Sequence, residues 1–409
     1  MKQIRFKLAA LGAATLLAAC GGGGSDSPSV PQGRYSSLVV FGDSLSDVGS
    51  YKVGGIAALG GGKFTVNSPT AKIWTEVLAA QYKLPEPCAA QTGFSSILPT
   101  LPAVAIQNNA SCTNYAQGGS RVSSPAGPTS VAIQQAIVAS VLRSGASQAQ
   151  ANQAAIAAGF GLGATTAPVT YQMANHLANA GGTYGGRELV AILAGGNDVF
   201  LNLNGVQNAA AGGANAVAAA QFAGWSPGVQ ASVAAGGAAA AGAAQQAAVA
   251  GMAQAGTELA AAISSQVIAR GAKYVVVANL PDVSQTPLTA SFDPATRGFV
   301  RLLSTTFNAA LKAGVTGKAE VTYVDLFAQG QDQFANPAKY GLSNVTGKAC
   351  ADVSAANPLA PSSLGCTNAS LIAGDTSRYL FADDVHPTPY GSSLIAQAVD
   401  QGVIAAKWP

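Results

Sequence analysis

The chain has 409 residues, of which 49% are hydrophobic and 10% are charged, and its formal net charge is +3. A chain of this length can bury a sizeable core in one large or two medium domains. Charge is sparse, and no block of Lys or Arg follows the first few residues. Because nucleic acids are bound through clustered positive charge, the sequence predicts no nucleic-acid partner.

The amino terminus has the pattern of an export signal. Residues 1–7 are basic and precede an apolar stretch, Leu8–Ala19, that is too short to span a bilayer as a mature helix. It ends in Leu17-Ala18-Ala19-Cys20, which resembles a bacterial lipobox, in which the Cys is lipidated. The alternative is an ordinary cleaved signal with an incidental Cys. No Asp follows Cys20, and the resemblance therefore implies the outer membrane of a Gram-negative bacterium.

Residues 20–34 are predicted to form a flexible tether. Gly21–Ser27 reads Gly-Gly-Gly-Gly-Ser-Asp-Ser, and Pro28 and Pro31 follow. No further domain boundary is evident after this segment. The prediction is therefore a signal peptide over residues 1–19, a lipidated tether over 20–34, and a single domain over 35–409.

Four cysteines remain beyond Cys20, and an even number in an exported protein suggests disulfides. Three pairings are possible. The simplest joins near neighbours, Cys88 with Cys112 and Cys350 with Cys366. A zinc site is disfavoured because no Cys-x-x-Cys spacing occurs, so no metal is expected.

Five apolar, β-branched runs alternate with helical patterns. The predicted strands are Ser36–Phe41, Ser111–Ala116, Glu188–Ala194, Tyr274–Ala278 and Val321–Leu326. The predicted helices are Ile73–Leu84, Ser130–Ala158 (broken by Gly159–Gly163), Val169–Ala180, Gln254–Ala269 and Ser392–Ala405. This alternation predicts a five-stranded parallel sheet in a three-layer α/β/α domain.

Residues 202–256 are almost entirely Ala, Gly, Gln and Asn. We interpret them as an insertion that covers one edge of the functional site. The alternative is a low-complexity surface excursion without a function.

Ser44 follows the first predicted strand directly, in Gly42-Asp43-Ser44-Leu45. Ligands of open α/β sheets bind beyond the carboxyl ends of the strands, so Ser44 lies at the usual position of a ligand-binding or catalytic residue. A serine hydroxyl needs a base and an oxyanion site before it can act as a nucleophile. Without a base and an oxyanion site, Gly42-Asp43-Ser44 is only a turn with a capping side chain.

The search for a base is short because the chain has two histidines. His176 lies beside the apolar stripe of a predicted helix and is interpreted as a packed or surface residue. His386 follows Asp383 by three residues, so both share one face of a helical turn, while Asp384 points elsewhere. Asp383 can then orient the imidazole that takes the serine proton. The alternative is a structural Asp-His pair that caps the last helix.

Three groups beyond strand ends can serve as oxyanion donors: the backbone N–H groups of Ser44 and Gly119 and the side-chain amide of Asn197. In a flavodoxin-like strand order, 2-1-3-4-5, the first three strands are neighbours at the switch point. The candidate groups therefore converge on one edge of the sheet.

Four blocks in this order resemble the GDSL (SGNH) hydrolase family: Gly42-Asp43-Ser44-Leu45, Asn114-Tyr115-Ala116-Gln117-Gly118-Gly119, Gly195-Gly196-Asn197-Asp198 and Asp383-x-x-His386. The resemblance implies the flavodoxin-like sheet order. It also implies that Ser44 is the nucleophile, Gly119 and Asn197 are oxyanion donors, His386 is the base and Asp383 orients it.

The expected function is that of a lipid-anchored, extracytoplasmic serine esterase or lipase that needs no cofactor or metal. Its expected substrate is a small-molecule or lipid ester. One rival is a carbohydrate O-acetylesterase or acyltransferase of the same fold. The other is a surface lipoprotein that binds without catalysis. The insertion after Asn197 departs from the family pattern and leaves the substrate open.

Overall fold

A computed structural model describes residues 33–97, 101–128, 130–157 and 166–408. The predicted signal peptide, Cys20, most of the predicted tether and the Gly159–Gly163 break lie outside the described residues. Within these ranges, no helix has the combination of length and hydropathy that crossing a bilayer requires.

The described chain alternates strands and helices along most of its length. The strands are β1 (Ser37–Gly42), β2 (Gln91–Phe94), β3 (Val104–Asn108), β4 (Glu188–Leu193), β5 (Tyr274–Ala278), β6 (Val321–Val324), β7 (Asn344–Lys348) and β8 (Tyr379–Phe381). The helices are α1 (Gly54–Ala58), α2 (Trp74–Gln81), α3 (Val131–Arg143), α4 (Gln148–Ala157), α5 (Val169–Asn179), α6 (Gly196–Ala209), α7 (Gly213–Ala223), α8 (Pro227–Ala235), α9 (Gly237–Ala262), α10 (Pro294–Val315), α11 (Leu326–Ala335) and α12 (Pro389–Ala406).

The central sheet is parallel, with the order β1-β4-β5-β6. Its strands consist largely of Val, Leu, Ile and Ala, as in sheets that are buried on both faces. On one face, side chains such as Val39 and Ile192 pack against α5, α6, α9 and α10. On the other face, Val40 and Leu189 pack against α2 and α12. The predicted three-layer α/β/α architecture is confirmed.

The predicted second strand, Ser111–Ala116, is reduced to a short edge segment, so the sheet has four strands and not five. The segment runs parallel to β1: Val40 N–H donates to the Thr113 carbonyl over 2.9 Å, and Tyr115 N–H donates to the Val40 carbonyl over 2.8 Å. It does not extend further because a disulfide holds Cys112 on one side and a tight turn begins at Gly118 on the other. The neighbour order still matches the predicted 2-1-3-4-5.

The Ala/Gly-rich stretch folds into packed helices, and the predicted helix Gln254–Ala269 is wrong in its bounds because α9 already begins at Gly237. Each glycine in a helix interior costs about 1 kcal/mol, and the glycines before Gln254 therefore favoured a helix that begins only at Gln254. Packing overrides this cost: Ala240, Ala244 and Ala248 in the part that was missed are buried. A Cβ at Gly251 would lie 3.0 Å from Asn202 Oδ1, so glycine lets this part of α9 approach α6 closely.

Both near-neighbour disulfides are present. Cys88 and Cys112 have Cα atoms 5.1 Å apart, and Cys350 and Cys366 have Cα atoms 6.1 Å apart. Two small sheets, the antiparallel pair β2-β3 and the parallel pair β7-β8, were not predicted. The strand pair β7-β8 precedes the segment that carries Asp383 and His386.

Candidate active site

Ser44 lies two residues beyond the end of β1, at the carboxyl edge of the sheet. The last residue of the strand is a glycine because Gly42 lies directly against β4: a Cβ at this position would be 2.4 Å from the Leu193 carbonyl oxygen. Asp43 is buried, and its Oδ1 accepts a hydrogen bond of 3.1 Å from the Leu45 N–H. Burial raises the pKa of Asp43 to about 7. The turn therefore presents Ser44, and not Asp43, to solvent.

Ser44, His386 and Asp383 form one hydrogen-bonded chain. Ser44 Oγ is 2.8 Å from His386 Nε2. His386 Nδ1 is 2.9 Å and 2.8 Å from the two carboxylate oxygens of Asp383. The ring of Phe64 packs on the imidazole, with centroids 4.8 Å apart. This geometry lets the imidazole accept the serine proton while the carboxylate fixes its orientation.

Asp383 is held in its ionised form. Burial alone would raise its pKa, but the charge of His386 and the hydrogen bonds from the His386 ring and the Ser363 N–H outweigh burial and keep the pKa well below its usual range. The Ser363 N–H donates to Oδ2 over 2.8 Å, and the Val385 N–H donates to Oδ1 over 3.0 Å. The carboxylate is thus an anchored acceptor for the imidazole.

Gly119 and Asn197 line the same cavity as Ser44. Gly119 has a φ of +81°, a conformation that glycine adopts without strain. Asn197 is buried in the first turn of α6, and its Nδ2 donates to the Ser120 carbonyl over 2.8 Å. An amide nitrogen carries two hydrogens, so this bond orients the group and leaves the other hydrogen for a substrate oxygen.

Two buried side chains that sequence reasoning missed join the Ser44 turn to the Gly119 loop. Asp47 accepts hydrogen bonds from the Ser50 N–H over 2.7 Å and from the Gly118 N–H over 3.0 Å. Gln172 of α5 pairs with both backbone groups of Gly42, accepting from its N–H over 2.9 Å and donating to its carbonyl over 2.8 Å. The Gln172 amide also donates to Ser120 Oγ over 3.1 Å. No sequence pattern marks either residue.

A cavity of about 440 Å³ opens at the Ser44–His386 pair, and most of its lining is apolar. One wall is a face of α6 that runs outward from Asn197. The other walls come from the segment that follows β5 and from α11. The apolar lining includes Phe200, Leu203, Leu280, Val283, Phe292, Phe334 and Phe381.

The second histidine, His176, and the second aspartate of the His386 turn, Asp384, form no hydrogen bond with Ser44 or His386 in the described part of the chain. His176 is buried among the rings of Phe41, Tyr115 and Tyr184, so it is a packed histidine. Asp384 points away from the imidazole and accepts a hydrogen bond of 2.8 Å from Lys348 Nζ.

A three-layer α/β/α domain with a Ser-His-Asp chain at the carboxyl edge of its sheet has the architecture of a flavodoxin-like serine hydrolase. The chain belongs to the GDSL-like lipase/acylhydrolase family, whose model matches residues 38–399. The match covers all four blocks that carried the resemblance in sequence.

Two relatives are both named Esterase EstA and come from Pseudomonas aeruginosa and Pseudomonas putida. Each is 34% identical to this chain over 148 residues, which make up 34% of this chain and 20% of the relative. The chain thus spans about a fifth of the length of these curated relatives.

Proposed function

We propose that this protein is an exported serine esterase that hydrolyses carboxylic esters through an acyl-enzyme on Ser44. The observation that carries the proposal is the continuous hydrogen-bonded chain from Asp383 through His386 to Ser44, at the mouth of an apolar cavity. Family membership and the similarity to two esterases support the same reaction.

In the first half-reaction, Ser44 Oγ attacks the ester carbonyl carbon while His386 Nε2 takes the hydroxyl proton. The carbonyl oxygen becomes an oxyanion that accepts hydrogen bonds from the N–H groups of Ser44 and Gly119 and from Asn197 Nδ2. As the intermediate collapses, the ester C–O bond breaks, and His386 returns the proton to the leaving alcohol.

In the second half-reaction, a water molecule gives one proton to His386 Nε2 and its oxygen attacks the acyl carbon. The tetrahedral intermediate forms in the same oxyanion site. As it collapses, the bond between the acyl carbon and Ser44 Oγ breaks, His386 returns the proton to Oγ, and the carboxylic acid leaves. Asp383 stays ionised throughout, since its role is to orient and stabilise the imidazolium.

The cavity favours esters with an apolar acyl group over acetylated sugars. A leaving alcohol must lie beside His386 to receive its proton, so the acyl chain extends to the other side, along α6. Phe200 and Leu203 line that wall. An apolar chain gains about 0.8 kcal/mol for each buried methylene, and an acetyl group would leave this wall uncovered.

We further propose that the mature protein is lipid-anchored at Cys20 on the outer membrane. The basic segment, the apolar stretch and the lipobox-like Leu17-Ala18-Ala19-Cys20 support this location. Two disulfides support an oxidising compartment. Mass spectrometry of the mature amino terminus tests the anchor, because an unlipidated, water-soluble mature form would contradict it.

The reaction is tested with a soluble protein that begins at Ser27 and with its Ser44→Ala variant. Hydrolysis of p-nitrophenyl esters from acetyl to palmitoyl is measured, together with labelling by a fluorophosphonate. Turnover and labelling that both disappear in the variant are expected. Labelling without turnover would point to acetylated glycans as substrates. Neither signal in the folded wild-type protein would favour a binding protein.

A further inference from the structure

Arg121 joins the Ala/Gly-rich insertion to the loop that carries Gly119. The residue is buried, and its guanidinium lies at the carboxyl end of α7. Nη1 donates to the Phe222 carbonyl over 2.7 Å, and Nη2 donates to the Ala223 carbonyl over 3.2 Å. A cation at this end of a helix satisfies carbonyls that have no partner within the helix and complements the helix dipole.

The same guanidinium reaches the first turn of α6. Arg121 Nε donates to Asp198 Oδ1 over 2.8 Å, and the neighbouring Val122 N–H donates to Asp198 Oδ2 over 3.0 Å. Both partners of this ion pair are buried. With the bond from Asn197 to the Ser120 carbonyl, three consecutive loop residues are fixed to Asn197 and Asp198. These contacts tie the loop and the oxyanion amide to one another.

The insertion contacts this unit at a second point. Trp225, just beyond α7, donates from Nε1 to Asn202 Oδ1 over 2.8 Å. Asn202 Nδ2 in turn donates to the Asp198 carbonyl over 2.9 Å. Two separate chains of hydrogen bonds thus connect the carboxyl end of α7 and the residues just after it to Asp198.

From these contacts we propose that Arg121 is a positioning residue through which the insertion holds Gly119 and Asn197 in place for the oxyanion. The inference rests on the proposed esterase function. The insertion is then a support for the site and not a surface excursion. Arginine is required because its planar fork can bind a carboxylate and two carbonyls at once, whereas the lysine ammonium cannot span all three.

Arg121→Lys is the variant of choice, because complete removal of a buried charge would threaten folding. We expect kcat to fall about 10-fold with KM within about twofold, because the oxyanion donors are displaced but not lost. Asn197→Ala should lower kcat by about 100- to 1000-fold. In the Asn197→Ala background, Arg121→Lys should add little, because both substitutions affect the same interaction.

The control is Val233→Ala, which removes buried side-chain volume from α8, a helix that supplies none of the hydrogen-bond partners of Arg121 described above. It should lower the melting temperature and leave kcat unchanged. Hydrogen exchange of the peptide 117–124, measured by mass spectrometry, gives a readout that does not depend on turnover. Exchange should be faster in Arg121→Lys than in the wild type and unchanged in Val233→Ala.

The outcomes separate the two proposals. An undiminished effect of Arg121→Lys in the Asn197→Ala background, or unchanged exchange in 117–124, would overturn the role of Arg121. If the wild type hydrolyses no ester but Arg121→Lys still accelerates exchange, the esterase proposal fails and the structural coupling between insertion and loop stands.

Discussion

His176 is a buried base that the proposed reaction does not use. Only 5% of its surface is exposed, and neither ring nitrogen has a hydrogen-bond partner among the described residues. The rings of Phe41, Tyr115 and Tyr184 surround it. Loss of hydration on burial outweighs the attraction of the Glu188 carboxylate, so the folded protein keeps this imidazole neutral at pH 7.

This burial predicts an acid-sensitive fold. Burial lowers the pKa of His176 from 6.5 to about 4. Between these values the unfolded chain binds a proton that the folded protein does not. The free energy of unfolding therefore decreases as the pH is lowered from 6.5 towards 4, by up to about 3 kcal/mol. Denaturant unfolding at pH 7 and pH 4.5 should show a smaller difference for His176→Leu than for the wild type. Equal differences would contradict the assignment.

Some residues of the candidate site could be predicted from the sequence and others could not. Ser44, Asn197, Asp383 and His386 were predictable because few residue types can act as nucleophile, amide donor, carboxylate and base, and each follows a strand pattern. Their catalytic roles remain predictions, although the structure brings them together. Arg121 and Gln172 were not predictable. Most of their partners are backbone groups of remote segments, and these contacts leave no trace in composition or spacing.

At the scale of elements, α6 connects the oxyanion site to the substrate cavity. Asn197 lies in its first turn, and Phe200, Leu203 and Gln207 line the same cavity. With a rise of 1.5 Å per residue, Phe200 lies about 4.5 Å and Gln207 about 15 Å beyond Asn197 along the helix. The wall is therefore long enough to follow an extended acyl chain.

Phe200→Ala tests this wall. It should lower kcat/KM for a p-nitrophenyl octanoate by about 10-fold, because a lost apolar contact of this size is worth 1 to 2 kcal/mol. The acetate ester should change less, since its methyl group ends near Asn197. Asn208→Ala lies on the same helix outside the cavity lining and serves as the control. An equal loss for both esters would mean that the chain does not lie along α6.

Strands and helices were predictable where a local pattern of residue types was enough to determine them. Tyr274–Ala278 is a buried β-branched run, and β5 has these bounds. The predicted helix Ser130–Ala158 is two helices, α3 and α4, because the chain turns at Gly145 with a φ of +84°. The edge segment beside β1 and the start of α9 depend on tertiary contacts, so local propensity predicted them wrongly.

At the scale of the whole molecule, the site combines segments from the two ends of the chain. Ser44 comes from the first strand, whereas Asp383 and His386 come from the segment before the last helix. The two disulfides lie next to these two halves. Cys112 precedes the edge segment that pairs with β1, and Cys366 follows the turn whose Ser363 N–H binds Asp383.

We therefore expect the Cys350–Cys366 disulfide to support both stability and the site. The Cys350 N–H donates to the Ala382 carbonyl over 2.8 Å, next to Asp383 in the chain. The disulfide thus links this segment to the turn whose Ser363 N–H binds the Asp383 carboxylate. Replacing both cysteines with serine should lower the free energy of unfolding by about 3 kcal/mol in the chain-entropy model. It should also lower kcat several-fold, because the Ser363 N–H is no longer held against the carboxylate.

The matched control is removal of the Cys88–Cys112 bond by serine substitution. The two loops have sequence separations of 24 and 16 residues, so their entropic contributions are nearly equal. The edge segment keeps its own backbone bonds to Val40 and Gly42 without this disulfide. Removal of the Cys88–Cys112 bond should therefore lower the free energy of unfolding, measured with denaturant, by about as much as removal of the Cys350–Cys366 bond. It should lower kcat less. Equal losses of kcat would show that the disulfides act on the site only through global stability.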